Sequence, residues 1–510
     1  MKIGFKNLRS LKDTGLIDIK PITFLLGQNS SGKSTFLRSF PLLRQSVETK
    51  TKGPILWYGG LVDFGDFNTA VFDKSSEKFI EFQFEIDFNG KFDSKKYYRT
   101  YAPIWNSLGY LDKCQVYLTL KSVKEYTTYT SSVRIVFNDF EIKIEIDNDQ
   151  NAKIFVDGIN TGIENLLALQ IGNGLIPTLV LRNKDRLTIT DYNFQRNEID
   201  LLIKGISRRK YTENTYNQIL SSLKFSSNEA FYNSITQNQI VKQFGKNASY
   251  IKFDSREYQN IKCVILPSLI PLLWDGIDSK LSDVFRSVYY IAPLRATAER
   301  YYRPQELNVD EVDFQGKNLA LVLANLSDTE KSRFKEWCLD NFDFYPEASI
   351  KGGNISIYVN FKNETSKHNI TDLGFGFSQI LPVIVQIWTS LLKSGRALTR
   401  NRLSDKIYVI EQPELHLHPK LQGKLVDSLI GVINYCQEQK INVKFIIETH
   451  SETIINAVGN RIYAKKIASN DVSVLIFNRV DNHTKVDEVK YDENGVLNNW
   501  PYGFFEEELI

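Results

Sequence analysis

The alternation of hydrophobic and polar residues at the start of the chain predicts strands that lead into a helix. Residues 3–8 and 15–19 have the length of short strands, and the apolar run at 22–26 is typical of a strand buried on both faces. A glycine-rich turn follows, and helical spacing runs from Lys33 to about residue 45. This order of strand, turn and helix predicts an α/β fold.

The pattern changes twice further along the chain. Residues 78–159 contain short segments in which apolar and polar residues alternate, such as 79–86, and this predicts an antiparallel sheet with one exposed face. Helical spacing dominates from about 164 to 287, with asparagine-rich polar breaks. From residue 289 onward, apolar strands and helices alternate again.

The length of the chain favours more than one domain. Its 510 residues exceed an ordinary single core, and its 42% hydrophobic and 24% charged residues are typical of globular proteins. We predict one α/β head, a mixed sheet with flanking helices, that is split in sequence. Its N-terminal part is 1–85, a β-rich and then helical insertion is 86–285, and its C-terminal part is 286–510.

The net charge, the distribution of apolar residues and the cysteine spacing limit which partners and cellular locations we expect. A formal net charge of +3 is too small to imply binding to nucleic acid. The chain has no run of about 18 apolar residues, and its start lacks the apolar region of a secretory leader, so we expect a cytoplasmic protein without a membrane span. The cysteines lack metal-binding spacing and are expected to be buried, reduced thiols: Cys114, Cys263, Cys338 and Cys436.

The most specific motif is GQNSSGKST, which lies between the apolar strand and the first helix. It matches the phosphate-binding pattern G-x-x-x-x-G-K-[ST] in the context that this pattern requires. Lys33 is expected to bridge the β- and γ-phosphates of a nucleotide, and Ser34 to supply a hydroxyl to Mg²⁺. The candidate nucleotide-binding residues of the motif are Gly27, Asn29, Ser30, Gly32, Lys33, Ser34 and Thr35.

Two later strands are apolar runs that end in polar residues. The first ends at Glu411, followed by Gln412, Pro413 and Glu414, and we expect Glu411 to deliver a carboxylate to the outer shell of the metal. The second strand ends just before His450. For a lone histidine, a hydrogen-bonded structural residue is the alternative to a functional one.

A third segment, TDLGFGFSQ at 371–379, precedes an apolar helix predicted at 380–391. Two closely spaced glycines and a Ser-Gln pair at a helix N-terminus suit a phosphate group. The alternative is an ordinary helix start at which Ser378 caps the helix.

Taken together and in this order, the motifs resemble the AAA15/DUF3696 group of ABC-type ATPases, relatives of the overcoming-lysogenisation-defect (OLD), RecF, Rad50 and SMC heads. The resemblance covers about 1–85 and 285–510, and the insertion does not contribute to it. It rests on FKNLRS at 5–10, the phosphate-binding motif, YIAPLR at 290–295, the segment 372–382, EQPELHLHP at 411–419 and the ending NWPYGFF at 499–505.

The resemblance implies an ATPase that uses ATP and Mg²⁺ and forms a head-to-tail homodimer, or a higher oligomer, with ATP in the interface. It places Arg9 and Lys12 near the nucleotide, although both could equally be surface charges. His450 would contact the γ-phosphate. The residues expected to face each other across the dimer are Lys33, Ser34, Glu411 and His450 of one subunit and Gly376 and Ser378 of the other.

The sequence departs from the ABC pattern in two places. The signature normally reads Leu-Ser-Gly-Gly-Gln, and GFSQ at 376–379 matches it loosely. The position after the outer-shell acid is usually a glutamate that orients the attacking water, and here it is Gln412. Loss of a general base costs about 10²- to 10⁴-fold in rate. Either Glu414 reaches the water, or hydrolysis is slow and ATP acts mainly as a dimer clamp; we expect slow turnover.

His416 and His418 alternate with leucines in the segment after this acid. We expect them in the loop with which ABC heads contact the partner subunit, and a metal-binding pair is the alternative.

No second catalytic motif is found, and about sixty residues follow His450, too few for the C-terminal nuclease domain of OLD proteins. The hypothesis that the resemblance favours is therefore an ATPase that senses infection and controls a separate effector, a nuclease, in bacterial anti-phage defence. The alternative is a DNA repair or maintenance ATPase of the RecF/Rad50 kind that clamps DNA. Its candidate basic contacts lie at 95–99 and 208–211. A transporter motor is a third, weaker alternative, because transporter subunits lack such an insertion.

Overall fold

The computed structural model describes most of the chain in two compact units. The first unit comprises Met1–Asp18 and Leu42–Arg286, and the second comprises Ile19–Pro41 and Ser287–Ile510. The described residues are 1–72, 77–88, 111–124, 127–162, 166–169, 174–182, 187–189, 221–237, 251–293, 295–305, 307, 309, 311–392, 405–481 and 483–500.

The strands of the described residues, in chain order, are β1 Lys2–Leu8, β2 Leu11–Asp13, β3 Ile17–Asp18, β4 Ile22–Gly27, β5 Ile80–Asp87, β6 Lys113–Lys124, β7 Thr127–Phe137, β8 Phe140–Ile146, β9 Asn151–Val156, β10 Ile159–Asn160, β11 Leu166–Leu169, β12 Thr178–Arg182, β13 Leu187–Ile189, β14 Val288–Ile291, β15 Phe344–Lys351, β16 Asn354–Phe361, β17 Lys367–Asn369, β18 Lys406–Glu411, β19 Val443–Glu448, β20 Val472–Val480, β21 His483–Tyr491 and β22 Leu497–Asn498. The α-helices are α1 Lys33–Glu48, α2 Phe67–Ala70, α3 Asn228–Thr236, α4 Arg256–Ile265, α5 Ile270–Arg286, α6 Leu319–Ala324, α7 Asp328–Phe342, α8 Phe375–Ile387, α9 Pro419–Glu438 and α10 Glu452–Tyr463.

The first unit contains a large antiparallel sheet. Its strands follow the order β13-β12-β11-β9-β8-β7-β6-β5-β1-β2, with β10 paired to β9 and β3 to β1. The predicted alternation is clearest in β8, where every second side chain is buried, from Phe140 to Ile146. This agrees with the antiparallel sheet that the sequence pattern predicts, because one face is covered and the other is exposed.

The helical prediction for 164–287 is wrong in its first part. β11, β12 and β13 lie there, and β11 pairs with both β9 and β12. An apolar run as short as Leu166–Leu169 fits a strand or a helix equally well, and pairing with an existing sheet edge decides the outcome. The later part agrees with the prediction, since α3, α4 and α5 lie within it.

The second unit is built on a mixed sheet of order β14-β18-β19-β4-β20-β21-β22. The strands from β14 to β20 run parallel to their neighbours, and β21 and β22 are antiparallel. β4 and β19 are buried along their whole length, as the apolar runs predict. The core beside the sheet includes Phe24, Tyr408 and Phe445, and the last two rings stack 5.0 Å apart.

Helix α8 lies between two apolar clusters of the second unit. Val383 and Ile387 pack with the main sheet, while Ile380 and Ile384 pack with the three-stranded sheet β15-β16-β17 and with α6 and α7. This double burial explains the continuous apolar sequence of α8, which has no polar face over most of its length.

The second unit is split in sequence by residues 42–286, and its sheet and helices confirm the α/β fold class. One grouping differs from the domain boundaries that sequence analysis proposes. Met1–Asp18 belongs to the first unit, because β1 forms hydrogen bonds with β5 along five residue pairs. All four cysteines are buried and free of disulfides. None of the helices described combines the length and apolar character that crossing a membrane requires.

Candidate nucleotide-binding site

The phosphate-binding loop follows the buried strand β4 and leads into α1. Gly27 has a φ of 145°, and a side chain there would collide with the carbonyl oxygen of Phe477 on β20. Gly32 has a φ of 98°, which also favours glycine. The loop is also held from β21, since the Thr484 hydroxyl donates to the carbonyl of Ser31 at 2.7 Å. Both glycines of the motif are therefore required by the backbone.

Lys33 is the first residue of α1 and is 3% exposed. Its ammonium donates to the carbonyl oxygens of Gly27 and Gln28 at 2.8 and 2.7 Å. Burial lowers the pKa of Lys33, and the charge of Glu448 partly offsets this. The ammonium thus rests inside its own loop, where incoming phosphate oxygens could replace the two carbonyls as acceptors.

The Ser34 hydroxyl is held by a carboxylate that sequence analysis did not select. It contacts Oε2 and Oε1 of Glu448 at 2.8 and 3.0 Å. Glu448 ends β19, is 4% exposed, and lies directly opposite Glu411 of β18 in the parallel register. The signal was present, because both apolar runs end in a glutamate and adjacent parallel strands end at the same sheet edge.

Glu411 is 2% exposed, and Arg38 of α1 binds it through two hydrogen bonds, Nε to Oε1 and Nη2 to Oε2, both at 2.8 Å. The Tyr290 hydroxyl donates to Oε1 at 2.7 Å. The hydrogen bond that Arg38 donates to Glu411 raises the pKa of Arg38, and burial together with the charge of Glu411 raises the pKa of Tyr290. Sequence analysis named neither Arg38 nor a role for Tyr290. The outer-shell role of Glu411 stays a prediction.

Glu414 and His450 lie together beside the strand ends. The backbone N–H of His450 donates to Oε1 of Glu414 at 2.7 Å, and Oε2 of Glu414 is buried without a hydrogen-bond partner among the described residues. Burial raises the pKa of Glu414. Burial and the charge of Lys33 lower the pKa of His450, which favours a neutral imidazole. Gln412 has a left-handed backbone with a φ of 43° and donates its N–H to the carbonyl of Glu448 at 2.8 Å.

The structure corrects the predicted start of the signature helix. α8 begins at Phe375 rather than near 380, with Gly374 as its N-cap and no side-chain cap. Ser378 lies inside the first turn, where its hydroxyl donates to the carbonyl of Phe375 at 2.7 Å, so the alternative that Ser378 caps the helix is wrong. A Cβ on Gly376 would come 2.8 Å from the carbonyl oxygen of His416, which explains the glycine.

Arg295 connects the signature helix to the end of β18 and was not assigned a role from the sequence. It is 6% exposed, its Nη2 donates to the carbonyl of Glu411 at 3.0 Å, and its Nη1 lies 3.5 Å from Oε1 of Gln379. Burial lowers the pKa of Arg295 to about 10. A buried cation thus spans the two segments that carry Glu411 and Ser378.

Several predicted residues belong to the first unit or lie outside the described residues. Arg9 and Lys12 belong to the first unit, where Arg9 lies over the Phe64 ring at 4.2 Å and Lys12 is exposed. Their proposed nucleotide contact stays a prediction. The basic clusters at 95–99 and 208–211, and residues 501–505 of the ending, lie outside the described residues.

The two histidines after the acid have different surroundings. Nδ1 of His418 accepts from the backbone N–H of Lys420 and caps α9, while His416 has a left-handed φ of 60°. Within the described ranges, no cluster of three or more histidine, cysteine, aspartate or glutamate residues could hold a metal by itself.

A magnesium ion that arrives with a nucleotide fits the site. Mg²⁺ prefers oxygen ligands, uses few protein groups and takes the rest from phosphates and water. The hydroxyl of Ser34 and the buried carboxylate of Glu448 are oxygen donors of this kind beside the phosphate-binding loop, and the buried Glu411 is the register partner of Glu448.

A phosphate-binding loop between a central parallel strand and a helix, with acids at the ends of neighbouring strands, defines an ABC-type P-loop ATPase head. Residues 1–455 match the family model for the AAA ATPase domain, and residues 467–510 match a protein family of unknown function, DUF3696. Because the first match covers most of the chain, the chain belongs to the AAA ATPase domain family.

More distant relatives are similar over part of the chain or at low identity. The Old nuclease of Escherichia phage P2 is 19% identical over 275 residues, which span 46% of this chain and 45% of that protein. This chain therefore matches less than half of that relative.

Two solved structures of SMC heads align with nearly the whole chain at low similarity. An SMC head bound to the C-terminal winged-helix domain of ScpA is 10% identical, with a TM-score of 0.35 over 96% of this chain and 98% of that one. The SMC head of Thermotoga maritima is 9% identical, with a TM-score of 0.35 over 96% and 97%. Similarity at that level carries no further argument.

Proposed function

We propose that this chain binds ATP with Mg²⁺, hydrolyses it, and closes as a homodimer around the nucleotide. The observation that carries the proposal is the set of contacts that Lys33 and Ser34 make at the phosphate-binding loop. Lys33, which the motif assigns to phosphate, is buried and donates to two carbonyls of the loop, and Ser34, which it assigns to the metal, contacts the carboxylate of Glu448. Each has partners that a phosphate or a cation could replace without rebuilding the backbone.

In the proposed reaction, backbone N–H groups of the loop and Lys33 bind the phosphates and orient the γ-phosphate. Magnesium, when bound, neutralises developing negative charge on the transferred group. Ser34 and a carboxylate at the strand ends would hold it. His450, neutral because its pKa is lowered, would contact the γ-phosphate.

Glu414 is our candidate for the general base. The His450 backbone fixes one of its oxygens, while the other is buried without a partner among the described residues. Its raised pKa makes the carboxylate a better proton acceptor. The amide of Gln412 cannot accept a proton, so Glu414 would supply the chemistry that Gln412 lacks.

The dimer is supported by the exposed start of α8. Phe375 is 62% exposed there, and the helix has no side-chain cap. A helix N-terminus with free N–H groups suits the γ-phosphate of the partner's ATP, with Gly376 and Ser378 beside it.

For the biological role, we propose a cytoplasmic sensor or scaffold in bacterial anti-phage defence that controls a separate effector, a nuclease. The match to part of the Old nuclease supports this direction. The DNA-clamping alternative depends on basic clusters outside the described residues, so no observation on the described chain favours it.

Nucleotide binding by the purified chain tests the core of the proposal. Lys33→Ala removes two charge-assisted donors, each worth about 1.5–3 kcal/mol, and should weaken ATP affinity by about 100-fold or more. Lys362 is an exposed lysine of the same unit. Lys362→Ala is therefore the matched control and should bind ATP as the wild type does. Equal affinity of the wild type and Lys33→Ala in a fluorescent ATP titration would refute the proposed site.

A further inference from the structure

Two buried carboxylates lie side by side at the edge of the sheet beside the phosphate-binding loop. Glu411 and Glu448 end the parallel strands β18 and β19, are direct register partners, and are 2% and 4% exposed. Two adjacent buried negative charges are unfavourable unless each has a compensating partner. Their partners are not alike, and this difference separates their roles.

Glu411 already has a full set of partners. Arg38 occupies both of its oxygens in a two-pronged ion pair, and Tyr290 adds a third hydrogen bond. Rotation of Glu411 toward a metal would leave the guanidinium and the phenol hydroxyl without their acceptor. Arg38 is 37% exposed, but Glu411 and Tyr290 are buried, so breaking these hydrogen bonds leaves buried groups without partners and Glu411 is held in place.

Glu448, in contrast, lacks a charged hydrogen-bond partner among the described residues. Both of its oxygens contact the Ser34 hydroxyl, which carries no charge to balance the carboxylate. Among the described residues, no lysine, arginine or histidine forms an ion pair with Glu448, and the positive charges that lower its pKa, those of Lys33 and Arg38, act without direct contact. A carboxylate that is buried but not ion-paired is suited to a cation that arrives with the nucleotide.

The distances fit the same cation. Oxygens at adjacent corners of a Mg²⁺ octahedron with bonds of about 2.1 Å lie about 3.0 Å apart. The Ser34 hydroxyl and the Glu448 oxygens are separated by 2.8 and 3.0 Å. A cation bound to the Ser34 hydroxyl therefore meets a Glu448 oxygen at a neighbouring ligand position, with only the hydroxyl proton turned away.

We infer that Glu448, together with Ser34, is the carboxylate ligand of the nucleotide's Mg²⁺ in this chain. Glu411 instead acts as a positioning residue that holds α1 against the end of β18 through Arg38. The inference rests on the proposed ATP site and deepens it. It differs from the expectation that assigns the metal carboxylate to Glu411.

The test is the dependence of ATP affinity on Mg²⁺, measured with a fluorescent ATP analogue in Mg²⁺ and in EDTA. Glu448→Gln keeps the size of the side chain and an acceptor for the Ser34 hydroxyl but removes the charge. It should lower the ratio of the two affinities by about tenfold or more while affinity in EDTA is kept or improved. Glu411→Gln should keep the wild-type ratio and lower the melting temperature, because Arg38 loses its charged partner.

Glu438 is an exposed acid at the end of α9. Glu438→Gln makes the same charge change and should keep the wild-type dependence of ATP affinity on Mg²⁺. Glu448→Asp restores the charge and should recover part of the Mg²⁺ dependence, which also covers a Glu448→Gln variant that folds poorly. Electron paramagnetic resonance of Mn²⁺ with the bound nucleotide gives a readout independent of turnover, and its spectrum should change in Glu448→Gln.

Two results would overturn the inference, and they are distinguishable from each other. If the wild type binds ATP with a clear Mg²⁺ dependence that Glu448→Gln retains, Glu448 is not a ligand and only this inference fails. If the wild type binds no ATP, the proposed function fails with it.

Discussion

The phosphate-binding loop and the signature helix are the two regions of the second unit that we propose to face the nucleotide. They differ in how many of their groups have partners within one chain. In the loop, Lys33 is 3% exposed and Ser34 is held by Glu448. At the start of α8, Phe375 is 62% exposed and the helix has no side-chain cap. Lys33 and Ser34 thus have hydrogen-bond partners within the chain, whereas the helix start presents an exposed aromatic ring. This contrast supports a site that a second copy completes.

The largest expected effect concerns the loop side and its general base. Glu414→Gln should lower kcat by about 10²- to 10⁴-fold, because an amide cannot accept the proton of the attacking water. ATP affinity should stay close to that of the wild type, which separates catalysis from binding. Single-turnover hydrolysis and a binding titration on the same preparation measure both quantities.

Gln412→Glu sharpens the same prediction. If Glu414 is the base, the native chain already has a proton acceptor and Gln412→Glu should raise turnover little. A wild-type rate that is unaffected by Glu414→Gln and rises strongly in Gln412→Glu would show that the native chain lacks a base and that ATP acts as a clamp.

The next effect concerns Arg295, which links the end of β18 to the signature helix α8. Arg295→Ala removes the buried donor to the Glu411 carbonyl and the contact with Gln379. Hydrogen bonds of a charged group are worth about 1.5–3 kcal/mol, so amide exchange in α8 should accelerate by about tenfold or more. Hydrogen–deuterium exchange of peptides that cover 375–387 measures this.

Arg300→Ala is the control for Arg295. Arg300 is an exposed arginine that pairs with Asp372, and exposed pairs contribute about 0–1 kcal/mol. Equal exchange in the two variants would mean that Arg295 does not hold α8 to the strand end.

The smallest expected effect concerns the helix side alone. Phe375→Ala removes an exposed aromatic ring that the dimer would bury, and burial of such a ring is worth about 1.5–3 kcal/mol. The ATP-dependent dimer should dissociate about tenfold more readily, while ATP affinity of the single chain is kept. Tyr463→Ala, which changes an aromatic residue that is 71% exposed on α10, should leave the dimer intact. Sedimentation at several protein concentrations compares the two, and an equal effect would remove Phe375 from the interface.

Sequence reasoning predicted the parts of this molecule in which local pattern and local chemistry agree. The apolar runs of β4, β18 and β19, and the glycines of the phosphate-binding loop, determine their structure within a few residues of sequence. The short strand β11 was missed because its state depends on pairing with β9, which lies elsewhere in the chain.

The local sequence pattern also could not predict which polar groups of the site contact each other. Arg38 with Glu411, and Ser34 with Glu448, join residues that are more than 370 positions apart. A rule that expects the metal carboxylate at Glu411 gives no reason to examine Glu448. The parallel register that sets them side by side appears only in the folded sheet.

The central claim is that ATP brings two copies of this chain together, and the mass of the particle in solution tests it most directly. Light scattering should give 58.8 kDa for the chain without nucleotide and twice that value with ATP and Mg²⁺. Lys33→Ala should keep the single-chain mass under both conditions. A wild-type mass that is the same with and without ATP, whatever its value, would contradict the account.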